Sequence, residues 1–259
     1  PVLAAKSPSD CFDTALEACR IAVTYRTPVI MLSDGYLGNG AEPWKVPDLA
    51  EIPRIDPRFA TEPNTTAADG SPRFMPYRRD PQTLARPWAL PGTKGLEHRV
   101  GGLEKSAHTG AISYDPTNHE EMVATRAAKV KGIAKTIPPT AVDDPSGDAD
   151  VLVLGWGSAY GPITAAVRRV RARGLSIAQA HVRHLNPLPE DLGDVLRRYR
   201  QVVVPEMNTG QFAMLLRSKY LIDVKAISRV RGLPIPPVDL CDELCRHCGG
   251  KGSDDMREA

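Results

Sequence analysis

From residue 10 to residue 26 the chain places Phe12, Leu16, Cys19 and Val23 at steps of four, three and four, with Ala15, Ala18 and Ala22 filling the same side. That is the spacing of one face of an α-helix. Asp10 is its expected N-cap, and Thr27-Pro28 ends it and opens the apolar run Val29-Ile30-Met31-Leu32, which reads as a buried strand. Between residues 41 and 95 neither period survives: 10 of the 24 prolines fall there, with Trp44, Phe59, Phe74, Tyr77 and Trp88 spaced among them. Large rings at intervals suit an extended arm that drapes over another surface and anchors as it goes; the alternative is a mobile linker, which would normally be poor in aromatics. Residues 100–112 are mostly glycine and polar types, a loop with close backbone approaches. Asn118 is the expected cap of a charged helix over 119–133, and 143–150 is a polar hinge.

Beyond the hinge the pattern is regular. Apolar runs at 151–154, 177–181, 202–204 and 224–227 read as strands, and 162–173, 191–199 and 210–220 read as the helices between them. Strands alternating with helices imply parallel pairing and right-handed crossovers, hence an α/β fold. The expected organisation is the end of one α/β domain at 1–40, a proline-rich arm at 41–95, a glycine-rich loop with a connecting helix at 96–145, a second α/β domain at 146–238 and a cysteine-containing tail at 239–259.

Composition narrows the function classes. Of 259 residues, 42% are apolar and 25% charged, enough for a sizeable core and incompatible with a disordered tail. Lysine and arginine number 33 against 31 acidic residues, too small an excess to argue for nucleic acid or anionic membrane. No apolar run approaches the roughly 20 residues of a membrane-spanning helix, and no export signal opens the chain, so a soluble cytoplasmic protein is expected. Five cysteines, two early and three near the end, do not form a secreted disulfide framework. Pro1 followed almost at once by a well-formed helix reads as the remainder of something longer.

Four groups of residues could carry chemistry. Gly155, Gly157 and Gly161 lie between a strand and a helix, where glycines can bring backbone donors to a phosphate; a tight turn is the competing reading, since no acidic residue closes the next strand, where His181 and Arg183 stand. His98, Arg99, Lys105 and His108 surround the Gly101-Gly102 loop and could meet a substrate carboxylate or phosphate. Asp34-Gly35 follow the first strand, at the carboxyl end where open α/β sheets bind ligands. Cys241, Cys245 and Cys248, with His247 beside them, have a spacing that could hold a metal or an iron-sulfur cluster, or could belong to a reactive tail. There is no P-loop, nucleophile elbow or H-E-x-x-H, and no G-D-G with a distant Asn of the kind that places magnesium on thiamine diphosphate.

Several longer segments resemble a known family in order. Pro8-Ser9-Asp10-Cys11-Phe12-Asp13, Tyr25-Arg26-Thr27-Pro28-Val29, Leu32-Ser33-Asp34-Gly35-Tyr36-Leu37 and Glu42-Pro43-Trp44 resemble the later part of the pyrimidine-type domain in the α subunit of 2-oxoglutarate:ferredoxin oxidoreductases. Gly92-Thr93-Lys94-Gly95-Leu96-Glu97-His98, Ile112-Ser113-Tyr114-Asp115-Pro116, Val153-Leu154-Gly155-Trp156-Gly157-Ser158, Leu185-Asn186-Pro187-Leu188-Pro189 and Val204-Pro205-Glu206-Met207-Asn208 continue it, so that it covers about residues 7–238.

The resemblance implies the carboxyl-terminal portion of an α subunit whose second domain is similar to the transketolase carboxyl-terminal fold. The implied reaction is oxidative decarboxylation of 2-oxoglutarate to succinyl-CoA with reduction of ferredoxin. Thiamine diphosphate, Mg2+, a [4Fe–4S] cluster and coenzyme A would sit mostly on a β subunit in an (αβ)2 assembly, and the Tyr-Pro-Ile-Thr-Pro motif and pyrimidine-facing acid of the family would lie upstream of Pro1. In this reading the chain holds no catalytic residue, His98, Arg99, Lys105 and His108 favour a second substrate carboxylate, and Asp34, Gly35, Gly101 and Gly102 border the cofactor. The three-cysteine segment departs from the family pattern. The competing class is a non-catalytic α/β assembly or metal-binding module.

Overall fold

The computed structural model describes residues 1–249. The chain divides into two compact units, one made of residues 16–29 and 46–136 with Pro1, the other of residues 2–15, 30–45 and 137 onward.

The second unit contains a five-stranded sheet built from β7 (Val142–Asp143), β8 (Val151–Trp156), β9 (Ala178–Val182), β11 (Gln201–Glu206) and β12 (Val224–Ser228). Their order across the sheet is β12-β11-β8-β9-β7. All are parallel except β7, which runs antiparallel to β9. Helices α4 (Tyr160–Ala172), α5 (Leu192–Arg197) and α6 (Gln211–Tyr220) make the crossovers, and α7 (Pro237–His247) follows β12. A parallel sheet covered on both faces needs apolar residues at consecutive positions, and this one has them. Leu152, Leu154, Val202 and Val204 point into one core with residues of α5 and α6, while Val151, Val153 and Val203 point into a second with α4 and α7. The four expected strands and three expected helices of this region are all present, within a few residues.

The same unit holds a smaller sheet in the order β10-β1-β2, from β1 (Val2–Ala4), β2 (Ile30–Leu32) and β10 (His184–Asn186). β1 and β2 are parallel, and α1 (Asp10–Tyr25) connects them. Asp10 is the first helical residue rather than the residue before it, and its carboxylate accepts from the Lys6 amide at 3.0 Å and Thr14 Oγ1 at 3.1 Å and pairs with Arg183. A short helix α2 (Gly35–Asn39) follows β2.

In the first unit, regular pairing between residues 41 and 95 is confined to the two-residue strands β3 (Phe59–Ala60), β4 (Thr65–Thr66), β5 (Pro72–Arg73) and β6 (Trp88–Ala89). Rings still organise this stretch: Phe59 stacks on Trp88 with centroids 6.5 Å apart, and the Arg26 guanidinium lies 4.0 Å from the centroid of the Trp88 ring. Helix α3 (Pro116–Gly132) begins earlier than the sequence pattern suggests. Asp115, not Asn118, caps it, accepting from the Thr117 amide at 2.9 Å, because Pro116 occupies the first turn where a missing N–H costs nothing. Asn118 instead bridges the Ala107 amide and the Lys105 carbonyl, both at 2.9 Å.

Candidate functional site

In the second unit, the carboxyl ends of β2, β8 and β11 open on a cavity of about 260 Å³. Asp34 stands at its edge, where β2 gives way to α2. One carboxylate oxygen accepts from the Leu37 amide at 2.9 Å and the other from the buried Ser158 hydroxyl. Gly35, the other residue expected to border a cofactor, is the first residue of α2 and does not line the cavity. Glu206 ends β11 with 1% of its surface exposed. Its oxygens accept from the amides of Phe212 at 3.0 Å and Ala213 at 2.9 Å, in the first turn of α6, and from Trp156 Nε1 at 3.4 Å. A carboxylate there satisfies helix donors that would otherwise be orphaned and complements the positive end of the helix. Both acids therefore hold structural donors in place. Gly157 takes a left-handed conformation (φ +59°) in the turn after β8, which favours the tight-turn reading of this glycine cluster.

In the first unit, His98, Arg99 and Gly101 line a second cavity, of about 400 Å³, with Arg73, Phe74 and Glu97. His98 Nδ1 lies 2.7 Å from the Leu96 carbonyl oxygen, and its ring packs on Phe74 with centroids 5.0 Å apart. The expected convergence of four basic residues is only half realised. Lys105 spends its ammonium on the Leu103 carbonyl at 2.8 Å, His108 is exposed, and neither lines the cavity. The two loop glycines also differ: a Cβ at Gly101 would meet Ile112 Cγ1 at 2.8 Å, while one at Gly102 would meet nothing within 4 Å. Gly101 is thus required by a close approach and Gly102 is not. Glu104 anchors the loop to α3 through His119 at 2.8 Å and Arg126 at 3.3 Å, and bonds from Arg126 first and His119 second bring its carboxyl down to about 2.

The cysteines are not arranged as a metal centre. Among the described residues no group of three or more His, Cys, Asp or Glu side chains is placed to hold a metal ion. Through His247 the expected tail is the helix α7, and its i,i+4 spacing turns Cys241 and Cys245 together into the core beside Leu244, leaving no surface exposed on either. Burial first, and then the neighbouring Cys245, push the Cys241 thiol up to about 11; burial does the same to Cys248, also to about 11. Arg173 reaches Cys245 Sγ at 3.3 Å while pairing with Asp242 at 2.8 Å. These are packing cysteines, inert as nucleophiles.

Sequence reasoning assigned no role to Ser158 or Glu206. For Glu206 a signal existed: an acid closing an apolar strand, four residues before a glycine that opens a helix. Ser158 pairs with Asp34 across 124 positions, which no local pattern reveals.

Two domain families match the chain in succession: "Pyruvate flavodoxin/ferredoxin oxidoreductase, thiamine diP-bdg" over residues 1–113, and "Pyruvate:ferredoxin oxidoreductase core domain II" over residues 149–241. The chain is 55% identical, over 95% of its length, to the 2-oxoglutarate oxidoreductase subunit KorA of Mycobacterium tuberculosis, of which it spans 35%. It is 30% identical, over 80% of its length, to subunit alpha of 2-oxoacid:ferredoxin oxidoreductase 1 of Aeropyrum pernix, of which it spans 32%. Among solved structures, the 2-oxoglutarate:ferredoxin oxidoreductase of Magnetococcus marinus superposes with a TM-score of 0.80 at 29% identity, over 95% of this chain and 42% of that one. Two successive domains of one enzyme family, the identity to KorA and a superposition running through both units lead to one assignment: this chain belongs to the 2-oxoacid:ferredoxin oxidoreductase family.

Proposed function

We propose that this chain forms part of the α subunit of a 2-oxoglutarate:ferredoxin oxidoreductase, which decarboxylates 2-oxoglutarate oxidatively to succinyl-CoA and passes the electrons to ferredoxin. The observation that carries this reading is the 55% identity, over nearly the whole chain, to a subunit named for 2-oxoglutarate. The superposition on an enzyme solved with 2-oxoglutarate, coenzyme A and succinyl-CoA bound supports it.

Asp34 and Glu206, the acids at the strand ends, each accept hydrogen bonds from donors of the fold itself, Asp34 from the Leu37 amide and Ser158 and Glu206 from the first turn of α6. In this proposal the diphosphate, its Mg2+, the [4Fe–4S] cluster and most of the coenzyme A contact belong to a β subunit, in a cytoplasmic (αβ)2 assembly. Asp34 then contributes a wall rather than a catalytic group. Residues 146–238 act as the transketolase-like domain that packs the assembly, and the ring-studded stretch 41–95 wraps a neighbouring surface. His98 and Arg99, in their shared cavity, are the residues here best placed to meet the second carboxylate of 2-oxoglutarate; Lys105 and His108 serve that role less well.

The test is anaerobic viologen reduction by the complex isolated with this chain from its own cells, supplied with coenzyme A and each 2-oxoacid in turn. Activity with 2-oxoglutarate and coenzyme A, and little with pyruvate, is the expected result. An intact two-subunit complex that reduces nothing with any 2-oxoacid would overturn the proposal.

A further inference from the structure

Helix α3 turns one face toward the loops that precede it in the first unit. Met122, on that face, is 3% exposed and packs with Tyr77 and Ala107. Lys129, seven residues on, occupies the same face two turns later. The ground there is cationic. The Arg79 guanidinium lies 5.3 Å and the Arg86 guanidinium 5.7 Å from the centroid of the one Tyr77 ring, and Arg79 Nη2 reaches Met122 Sδ at 3.8 Å. Lys129 is half-buried and forms no hydrogen bond or ion pair among the described residues. Its nitrogen still meets solvent, whereas Arg79 Nε does not.

Arg79, Arg86 and Lys129 thus gather with no carboxylate paired to any of them among the described residues. Glu121 acts on Arg79 without forming an ion pair with it, and Glu104, the acid of the adjoining loop, is held by His119 and Arg126. An ammonium in this place is penalised twice, first by burial and then by the charges of Arg79 and Arg86, and Lys129 is brought down to about 8. At pH 8 about half of the Lys129 side chains carry a free amine, against roughly one in 250 for an ordinary lysine. A lysine partly desolvated beside other cations and still open to solvent is an activated nucleophile.

We propose that Lys129 is a site of acylation by a coenzyme A thioester whose acyl group ends in a carboxylate, as in succinyl-CoA. The Nζ lone pair attacks the thioester carbonyl, and the C–N bond forms as the C–S bond breaks. Coenzyme A leaves as the thiolate and takes up, through solvent, the proton that the amine gives up. The acyl carboxylate is drawn toward Arg79 and Arg86 before the reaction, and afterwards it stands as the counter-charge that the fold does not supply. An acetyl group removes the positive charge of Lys129 but brings no such partner. Lys129 lines neither the cavity beside Asp34 nor the one beside His98 and Arg99. The supply of succinyl-CoA in the cell rests on the 2-oxoglutarate reading; the reactivity of Lys129 does not.

The test is peptide mass spectrometry of the enzyme purified with its partner subunit and incubated with succinyl-CoA or acetyl-CoA, without any 2-oxoacid. No turnover is needed, so the outcome is separate from whether the enzyme uses 2-oxoglutarate. Exposed Lys131 on the same helix is the internal standard. At pH 8 Lys129 should be succinylated at least about fivefold faster than Lys131, and that ratio should fall as the pH rises to 9.5, because the Lys129 amine is already largely free at the lower value. The ratio should be at least about twofold smaller with acetyl-CoA, which cancels the different reactivities of the two thioesters. Arg86→Gln should lower the succinylation ratio at least about threefold. Lys129 modified no faster than Lys131, a ratio that does not fall with pH, equal ratios for the two thioesters, or no effect of Arg86→Gln would each overturn the proposal.

Discussion

Replacing Glu206 is expected to destabilise the chain more than any single change at its surface. Glu206→Ala removes the acceptor of two amides, on Phe212 (4% exposed) and Ala213 (fully buried), and of the Trp156 indole. An orphaned buried donor costs about 1–3 kcal/mol, partly offset because a charge no longer has to be desolvated, so a net loss of about 3 kcal/mol is expected. Glu206→Gln keeps one acceptor oxygen but turns an NH2 toward the second amide and loses the charge at the helix terminus, for about half that loss. With a urea dependence of about 2–3 kcal/mol per molar, the unfolding midpoint falls by about 1–1.5 M for the Ala variant and about half as much for the Gln variant. Hydrogen exchange at the start of α6 should quicken in the same order. An Ala variant within about 0.5 kcal/mol of the wild type, or a Gln variant less stable than the Ala one, would refute the claim that this carboxylate anchors the helix.

Iodoacetamide at pH 8 should modify exposed Cys19 rapidly and Cys241 and Cys245 only on unfolding, since both of these are buried and the Cys241 thiol, at about 11, is ionised in only about one molecule in a thousand; protease-fragment mass spectrometry reads the order. The folded His181 titrates near 3 against about 6.5 when unfolded, so the native state binds fewer protons between those values; stability is full above pH 6.5 and declines as the pH falls toward 3. This group should remove about 2 kcal/mol between pH 7 and pH 5, a loss absent from His181→Leu and visible in urea midpoints at the two pH values. If the 2-oxoglutarate reading holds, Arg99→Met should raise the KM for 2-oxoglutarate about tenfold and leave that for pyruvate unchanged, while Lys105→Met, whose ammonium is held by Leu103, should alter neither.

The doubly covered sheet was legible because burial on both faces writes itself as consecutive apolar letters, as in Val151-Leu152-Val153-Leu154 and Val202-Val203-Val204. Shorter elements were not. β1 has three residues, fewer than two periods of any strand pattern, and it exists because β2 and β10 pair with it on either side. Helix α7 was obscured by its chemistry: Cys241 and Cys245 invite a reading as ligands, while with Leu240 and Leu244 they are the apolar stripe of an amphipathic helix. The basic residues around the glycine loop lay close in sequence, yet Lys105 and His108 are bent away from His98 and Arg99 by a hairpin-like turn in which Ser106 donates to the Ala111 carbonyl at 2.7 Å. Proximity along the chain does not fix the direction of a side chain.

The antiparallel strand β7 is only two residues long, yet Val142 and Asp143 cover Ala180 and Gln179 at the edge of the large sheet, and Thr140 is tied to Asp191 by bonds of 2.8 and 3.0 Å. A segment begun at residue 146, where the polar hinge invites a cut, would leave β9 with a bare row of amides and carbonyls open to pairing with another copy. Unprotected edges of that kind are where sheets recruit one another into aggregates. A soluble version of this domain should therefore start at or before Ile137, and the few residues that read as connector are what keep the sheet from growing.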